Sequence, residues 1–215
     1  MLLSMKIYDV TVAISETVPI YEGDPKVKID SFVSIANGSA ANVSNVCFGA
    51  HTGTHVDAPN HFIDGTRTVG DLDVEKLIGP CLVVEVPADV IAIEPEHLPV
   101  LQDIERIVFK TRNSAFWNTP EDGFRTDFTY ITLATAKTLA DAGIKLVGID
   151  YLSIEAPGAE GHPVHITLLE KEIVILEGLD LREIAAGDYE LICLPLKYVG
   201  GTGDGAPART VLRQI

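Results

Sequence analysis

Basic residues are scarce in this chain. Sixteen Lys and Arg stand against 31 Asp and Glu, giving a formal net charge of −15. A surplus of that size repels phosphate backbones and anionic lipid, which argues against nucleic acid and membrane surfaces as partners. It favours solubility and uptake of metal cations. Cysteine is nearly as sparse. Cys47, Cys81 and Cys193 are far apart and odd in number, which excludes a disulfide framework and a CxxC metal motif. Each lies in an apolar run, so the expectation is three buried thiols in a reducing, cytoplasmic compartment. No apolar run approaches the roughly 18 residues of a membrane span. The opening Met1-Leu2-Leu3-Ser4-Met5-Lys6 is too short for the apolar core of a signal peptide. Internal repeats, low-complexity tracts and linkers are also missing.

What is present suits a folded globule. The hydrophobic share is 47% and the charged share 22% over 215 residues, enough to build a core without staples. β-Rich segments are expected at residues 7–14, 27–35 and 42–50, the last running directly into a histidine-rich stretch. Further strands are expected at 81–86, 104–111, 145–149, 173–176 (ending at Glu177) and 189–198. The clearest helix is residues 131–143: Thr132 can cap it, Ala and Leu fill it, and Gly143 suits its C-terminal turn. Shorter helices are expected at 69–77, 94–101 and 165–169. Residues 200–207 read as a glycine-rich tail loop. Strands outnumber helices, and the expected architecture is one compact α/β domain spanning 1–215. On fold alone, ferredoxin-like and cupin-barrel metal enzymes are the rivals.

The chain is organised around His51-Thr52-Gly53-Thr54-His55-Val56-Asp57-Ala58-Pro59-Asn60-His61. Three of the six histidines and a carboxylate fall within eleven residues. His and Asp together suit a borderline cation such as Zn²⁺ or Mn²⁺. Gly53, the β-branched threonines, Val56 and Pro59 disfavour a helix. An extended run from His51 to His55 spans roughly 13 Å, near the limit for two imidazoles on one ion. A bend is therefore expected at Gly53. His55 and Asp57, two apart, share one face of a strand. Pro59 breaks the strand and brings His61 over the site.

Two downstream residues also draw attention. His165 follows a Gly/Pro loop, and Glu177 closes the apolar run Ile173-Val174-Ile175-Leu176. Taken alone, Glu177 reads as a solvated strand end and His162 as a surface loop histidine. Residues 51–61 match H-x-G-T-H-x-D-x-P-x-H, and the chain here resembles the cyclase family of metal-dependent hydrolases. That family includes bacterial kynurenine formamidases and isatin hydrolases. Supporting matches are Gly148-Ile149-Asp150 with Ser153, His165 with Leu168-Leu169, and Ile175-Leu176-Glu177-Gly178-Leu179. Leu194-Pro195-Leu196-Lys197 and Gly205-Ala206-Pro207-Ala208-Arg209 complete them.

The resemblance implies a swivelling β/β/α fold with a mixed-sheet or barrel-like core and few helices. It implies two divalent ions per subunit, Zn or Mn. His51, His55 and Asp57 would hold the first, and Asp57, His165 and Glu177 the second. His61 would be the acid/base, and metal-activated water would cleave an amide-type C–N bond in a small molecule. A homodimer or higher homo-oligomer is also implied. Tyr21 falls where kynurenine formamidases place a tryptophan against the substrate ring. It can still stack on an aromatic group, but the change turns the reading from N-formylkynurenine towards other formamides or cyclic amides. Kynurenine formamidase proper remains the first alternative, and a non-catalytic, metal-stabilised binding protein the second.

One test needs only the motif. Asp57→Asn removes the charge that offsets the cation, so metal retention and activity should disappear together. Elemental analysis alongside an amidase assay checks this, and a metal-free but fully active variant would refute the reading.

Overall fold

The computed structural model describes residues 5–215; residues 1–4, with most of the short N-terminal apolar stretch, lie outside the described part. The strands are β1 (Ile7–Asp9), β2 (Lys28–Val33), β3 (Val43–Cys47), β4 (His55–Asp57), β5 (Ile78–Glu85) and β6 (Ala92–Ile93). They continue with β7 (Arg106–Lys110), β8 (Tyr130–Ile131), β9 (Leu146–Ile149), β10 (Val174–Glu177), β11 (Gly187–Pro195) and β12 (Gly205–Gln214). The α-helices are α1 (Val74–Leu77), α2 (Leu133–Asp141) and α3 (Pro163–Leu169), with short 3₁₀ turns between elements.

Seven strands close on themselves in the order β12-β11-β5-β7-β9-β10-β4, because β4 pairs with β12 as well as with β10. The neighbours β5, β7, β9 and β10 run parallel, and the remaining ring pairings are antiparallel. β1 adds to the outer edge of β12. The mixed, barrel-like core and the scarcity of helix match the expected fold.

Strand alternation divides the core in two. Val56, Val83, Val108, Leu146, Leu176, Leu191 and Leu212, one from each ring strand, belong to a single apolar cluster that fills the ring. Their neighbours Ile107, Phe109, Val147, Ile149 and Ile175 face outward, under Ala136 and Leu139 of α2 and Leu168 of α3. β7, β9 and β10 are buried on both faces, hence their near-continuous apolar sequences. Since Val56 and Leu176 point inward, His55, Asp57 and Glu177 point outward, towards α3. In the register Glu177 lies opposite His55, and Ile175 opposite Asp57.

Several expectations need correction. Residues 42–50 do not run straight into the histidine stretch. β3 ends at Cys47 and pairs only with β2, in a separate two-stranded arm. The arm packs neither face on the body, so Cys47 is exposed, whereas Cys81 and Cys193 are buried as expected. The first strand stops at Asp9, with one isolated bridge at Thr11. Residues 69–77 split into a 3₁₀ turn closed by a Thr68/Asp71 capping box and the single turn α1. Residues 94–101 keep only a 3₁₀ turn at Pro95–His97. The tail loop ends at Asp204, and β12 begins at Gly205; this strand was not anticipated. Helix α2 is as expected, with the Thr132 hydroxyl accepting from Thr135 N and Gly143 at φ +76°.

Gly178, directly after Glu177, ties the ring to the histidine stretch. Its φ is +71°, and a Cβ there would lie 2.2 Å from the Gly53 carbonyl oxygen. Gly178→Ala should therefore cost on the order of 1–3 kcal/mol and lower the melting temperature by several degrees. A calorimetric midpoint equal to wild type would show that the close approach is not required.

Candidate metal centre

The histidine stretch bends as its composition requires. Gly53 adopts φ +63°. The Thr54 hydroxyl accepts from Val12 N at 2.8 Å and donates to the Gly178 carbonyl, pinning the bend to the end of β10. His55 and Asp57 then project from one face of β4. Pro59–His61 forms a 3₁₀ turn with His61 N donating to the Ala58 carbonyl at 2.9 Å. That turn lays the His61 ring on His51, centroid to centroid 3.9 Å.

The downstream half arrives from two elements. β10 delivers Glu177, which is 3% exposed rather than a solvated strand end. α3 delivers His165 from its first turn. Glu177 Oε2 lies 3.3 Å from His55 Nε2, and Oε1 lies 3.3 Å from His165 Nε2. Asp57 sits between them, with Oδ1 3.6 Å from His55 Nε2 and Oδ2 3.9 Å from His165 Nε2. His51 Nδ1 is 2.8 Å from Asp57 Oδ1. All five expected ligands thus converge, across 126 residues of sequence from His51 to Glu177.

Two carboxylates that the sequence reading passed over stand directly behind the histidines. Glu155 Oε2 is 2.8 Å from His165 Nδ1, and Asp204 Oδ2 is 2.8 Å from His51 Nε2. Neither lies in a His-rich stretch; a carboxylate ten residues before His165 was the only available signal. Asp150, by contrast, turns away from the centre. It accepts from Thr111 and Ser114 and anchors the turn after β7.

Above the centre lies a cavity of about 410 Å³ whose wall includes Tyr21, Asp24, His61, Phe62 and Ser153. Tyr21 reaches it from the loop before β2, with its ring 4.8 Å from Phe124. Phe62 lies 4.7 Å from His165 and 4.6 Å from His162. His162, with φ 48°, is an exposed residue of the loop before α3, as expected, and its side chain also lines the cavity.

The charge balance of the cluster suits a cation. Asp57 and Glu177 are buried side by side, and desolvating carboxylates costs several kcal/mol each unless they are compensated. Asp57 Oδ2 is fully buried and has no hydrogen-bond partner among the described residues. With protons as the only available counter-charge, the histidines take them up. Burial works against a charged His51, but Asp57 and Asp204 outweigh it and raise its pKa to about 10. His165 is likewise raised to about 10, by Glu155 and Glu177 against burial. Burial opposes ionisation of Asp57 too, yet His61 and His51 hold its carboxyl far below the usual range. His61 goes the other way. Burial, with His51 and His165 nearby, lowers its pKa despite Asp57.

The donor set fits metal. Ligand atoms of His51, His55 and Asp57 lie within 4.8 Å of one another, as do those of Asp57, His165 and Glu177. The two sets share the carboxylate that has the unpartnered oxygen. Nitrogen and carboxylate donors without cysteine suit a divalent ion, and the adjoining cavity leaves room for a substrate, as in catalytic rather than structural centres.

Fold and centre together define a metal-dependent hydrolase, and similarity supplies its family. The family described as "Putative cyclase" matches residues 8–156. A kynurenine formamidase from Salinibacter ruber is 38% identical over 213 residues, covering 97% of this chain and 98% of its own. A predicted metal-dependent hydrolase from Bacillus stearothermophilus is 35% identical with a TM-score of 0.81, covering 98% of this chain and 99% of its own. Isatin hydrolase A from Labrenzia aggregata shares the fold at 22% identity, with a TM-score of 0.81 over 97% of this chain and 93% of its own. The chain belongs to the cyclase family.

The proton count generates a test. Histidines with raised pKa values are protonated at neutral pH in the ion-free protein and must lose those protons to bind a metal. Metal affinity should therefore rise with pH through neutrality, with proton release on binding. Calorimetric titration in two buffers of different ionisation enthalpy reads the release. An affinity that is flat between about pH 6 and pH 8 would contradict it.

Proposed function

We propose that residues 1–215 act as one hydrolase domain that cleaves an amide-type, non-peptide C–N bond, in a formamide or a cyclic amide. The observation that carries this reading is the convergence of His165 and Glu177 on Asp57, beside an open cavity. His51, His55 and Asp57 hold one divalent ion, and Asp57, His165 and Glu177 a second, Zn or Mn. Such ions lower the pKa of water towards about 7 and stabilise developing negative charge on a carbonyl oxygen.

The chain's own groups supply the rest. Asp57 and Glu177 provide the negative charge that retains the ions. His61 is the acid/base: its ring makes no hydrogen bond to the described residues, and it faces the cavity from the turn after β4. Burial and the neighbouring histidines favour its neutral form, which can accept a proton and then donate it to the leaving nitrogen. Tyr21 and Phe62 line the same cavity and suit an aromatic group on the substrate. A Ser or Cys nucleophile is unnecessary; the buried Cys81 and Cys193 are in the ring core. A closed, non-catalytic metal centre would not need the cavity. We place the protein in the cytoplasm as a homodimer or higher homo-oligomer.

The kynurenine formamidase relative favours N-formylkynurenine as the second reading. A hydrolysis panel of N-formylkynurenine, simple formanilides, isatin, cyclic imides and lactones separates the two, and failure on every amide would refute both. His61→Ala should keep its metal while turnover falls on the order of 10²–10⁴-fold. Metal loss as complete as in Asp57→Asn would make His61 a ligand instead.

A further inference from the structure

We propose that Glu155 and Asp204 are positioning residues, one for each half of the centre, each fixing which nitrogen of a histidine faces the metal. The proposal rests on the two-ion reading and extends it to residues outside the ligand set.

A neutral imidazole has one N–H and one lone pair, and only the lone pair can bind a cation. The three ligand histidines each turn one nitrogen to the shared carboxylates and have the other held from outside. His55 Nδ1 is 2.9 Å from the Gly53 carbonyl, an acceptor only, so Nδ1 carries the hydrogen and Nε2 faces Glu177. For His165 the outer partner is Glu155, 2.8 Å from Nδ1, which leaves Nε2 facing Glu177 and Asp57. For His51 it is Asp204, 2.8 Å from Nε2, which leaves Nδ1 facing Asp57. Once a cation occupies the Asp57 side, Asp204 is the remaining acceptor for the His51 N–H. His61, the expected acid/base, has no such partner.

Both carboxylates are themselves held in place. Glu155 is 2% exposed, and its Oε1 accepts from Val164 N at 2.6 Å. One side chain thus caps the first turn of α3 and orients the histidine on that turn. Asp204 is set by barrel closure. Its carbonyl accepts from Ala58 N at 2.8 Å, the Thr202 hydroxyl donates to its Oδ1, and the next residue, Gly205, pairs with Asp57. A Cβ on Gly205 would lie 2.7 Å from His51 Cε1, so the His51 ring packs directly on that backbone. Outer partners of this kind typically change metal affinity 10–100-fold.

The test is a Co²⁺ titration of the metal-stripped protein, followed by visible absorption and calorimetry, with ion-free melting as a control. Asp204→Asn should weaken one Co²⁺ about 10–100-fold and alter that ion's absorption bands, with two ions still bound at saturation. Glu155→Gln should weaken the other ion instead, and ion-free melting of Asp204→Asn reads separately the loss of the His51–Asp204 pair. Unchanged affinities and spectra in both variants would overturn the proposal. Loss of an ion at saturating Co²⁺ would also overturn it, by making the residue a ligand. If Glu155→Gln does not fold, the partly exposed Asp204 still decides the matter. A wild type that binds no Co²⁺ would sink the metal reading itself, a result distinct from failure of the variants alone.

Discussion

The structure turns on two carboxylates buried beside each other on adjacent strands. Asp57 and Glu177 are almost fully withdrawn from water, where their mutual repulsion is weakly screened. Few arrangements of side chains alone would tolerate this. The surrounding histidines relieve it by taking up protons, and a divalent cation relieves it better. Much of the architecture serves this pairing. β4 and β10 hold the two acids in register, the Gly53–Gly178 contact fixes the strand ends, and α3 brings His165 over the top. A centre of this kind costs stability when empty, so metal uptake and correct folding are linked.

The parts legible in the sequence were those whose causes are local. The bend at Gly53, the shared face of His55 and Asp57 and the break at Pro59 follow from backbone rules within eleven residues. α2 carries its own cap and stop. β12 was hidden because Gly205 and Pro207, ordinary punctuation marks, sit inside a strand. Glycine is needed there because Val56 O and the His51 ring leave no room for a Cβ. Cys47 misled for the opposite reason. Its apolar neighbours suggest a core strand, but no layer covers the arm that carries it. Glu155 and Asp204 carry no local signature, since a lone carboxylate in a loop resembles any solvated acid until the fold sets a histidine against it. Glu177 needed the family resemblance, because neither periodicity nor composition distinguishes a buried strand end from an exposed one.

The ring of strands also has a temporal side. β4 pairs on one edge with β10 and on the other with β12, so Asp57 waits for Gly205, about 150 positions further along the chain. Without those late segments β4 has two unpaired edges. Contacts of such long sequence separation form slowly. The motif alone therefore supplies donors without a site; only closure of the ring sets His165 and Glu177 against them.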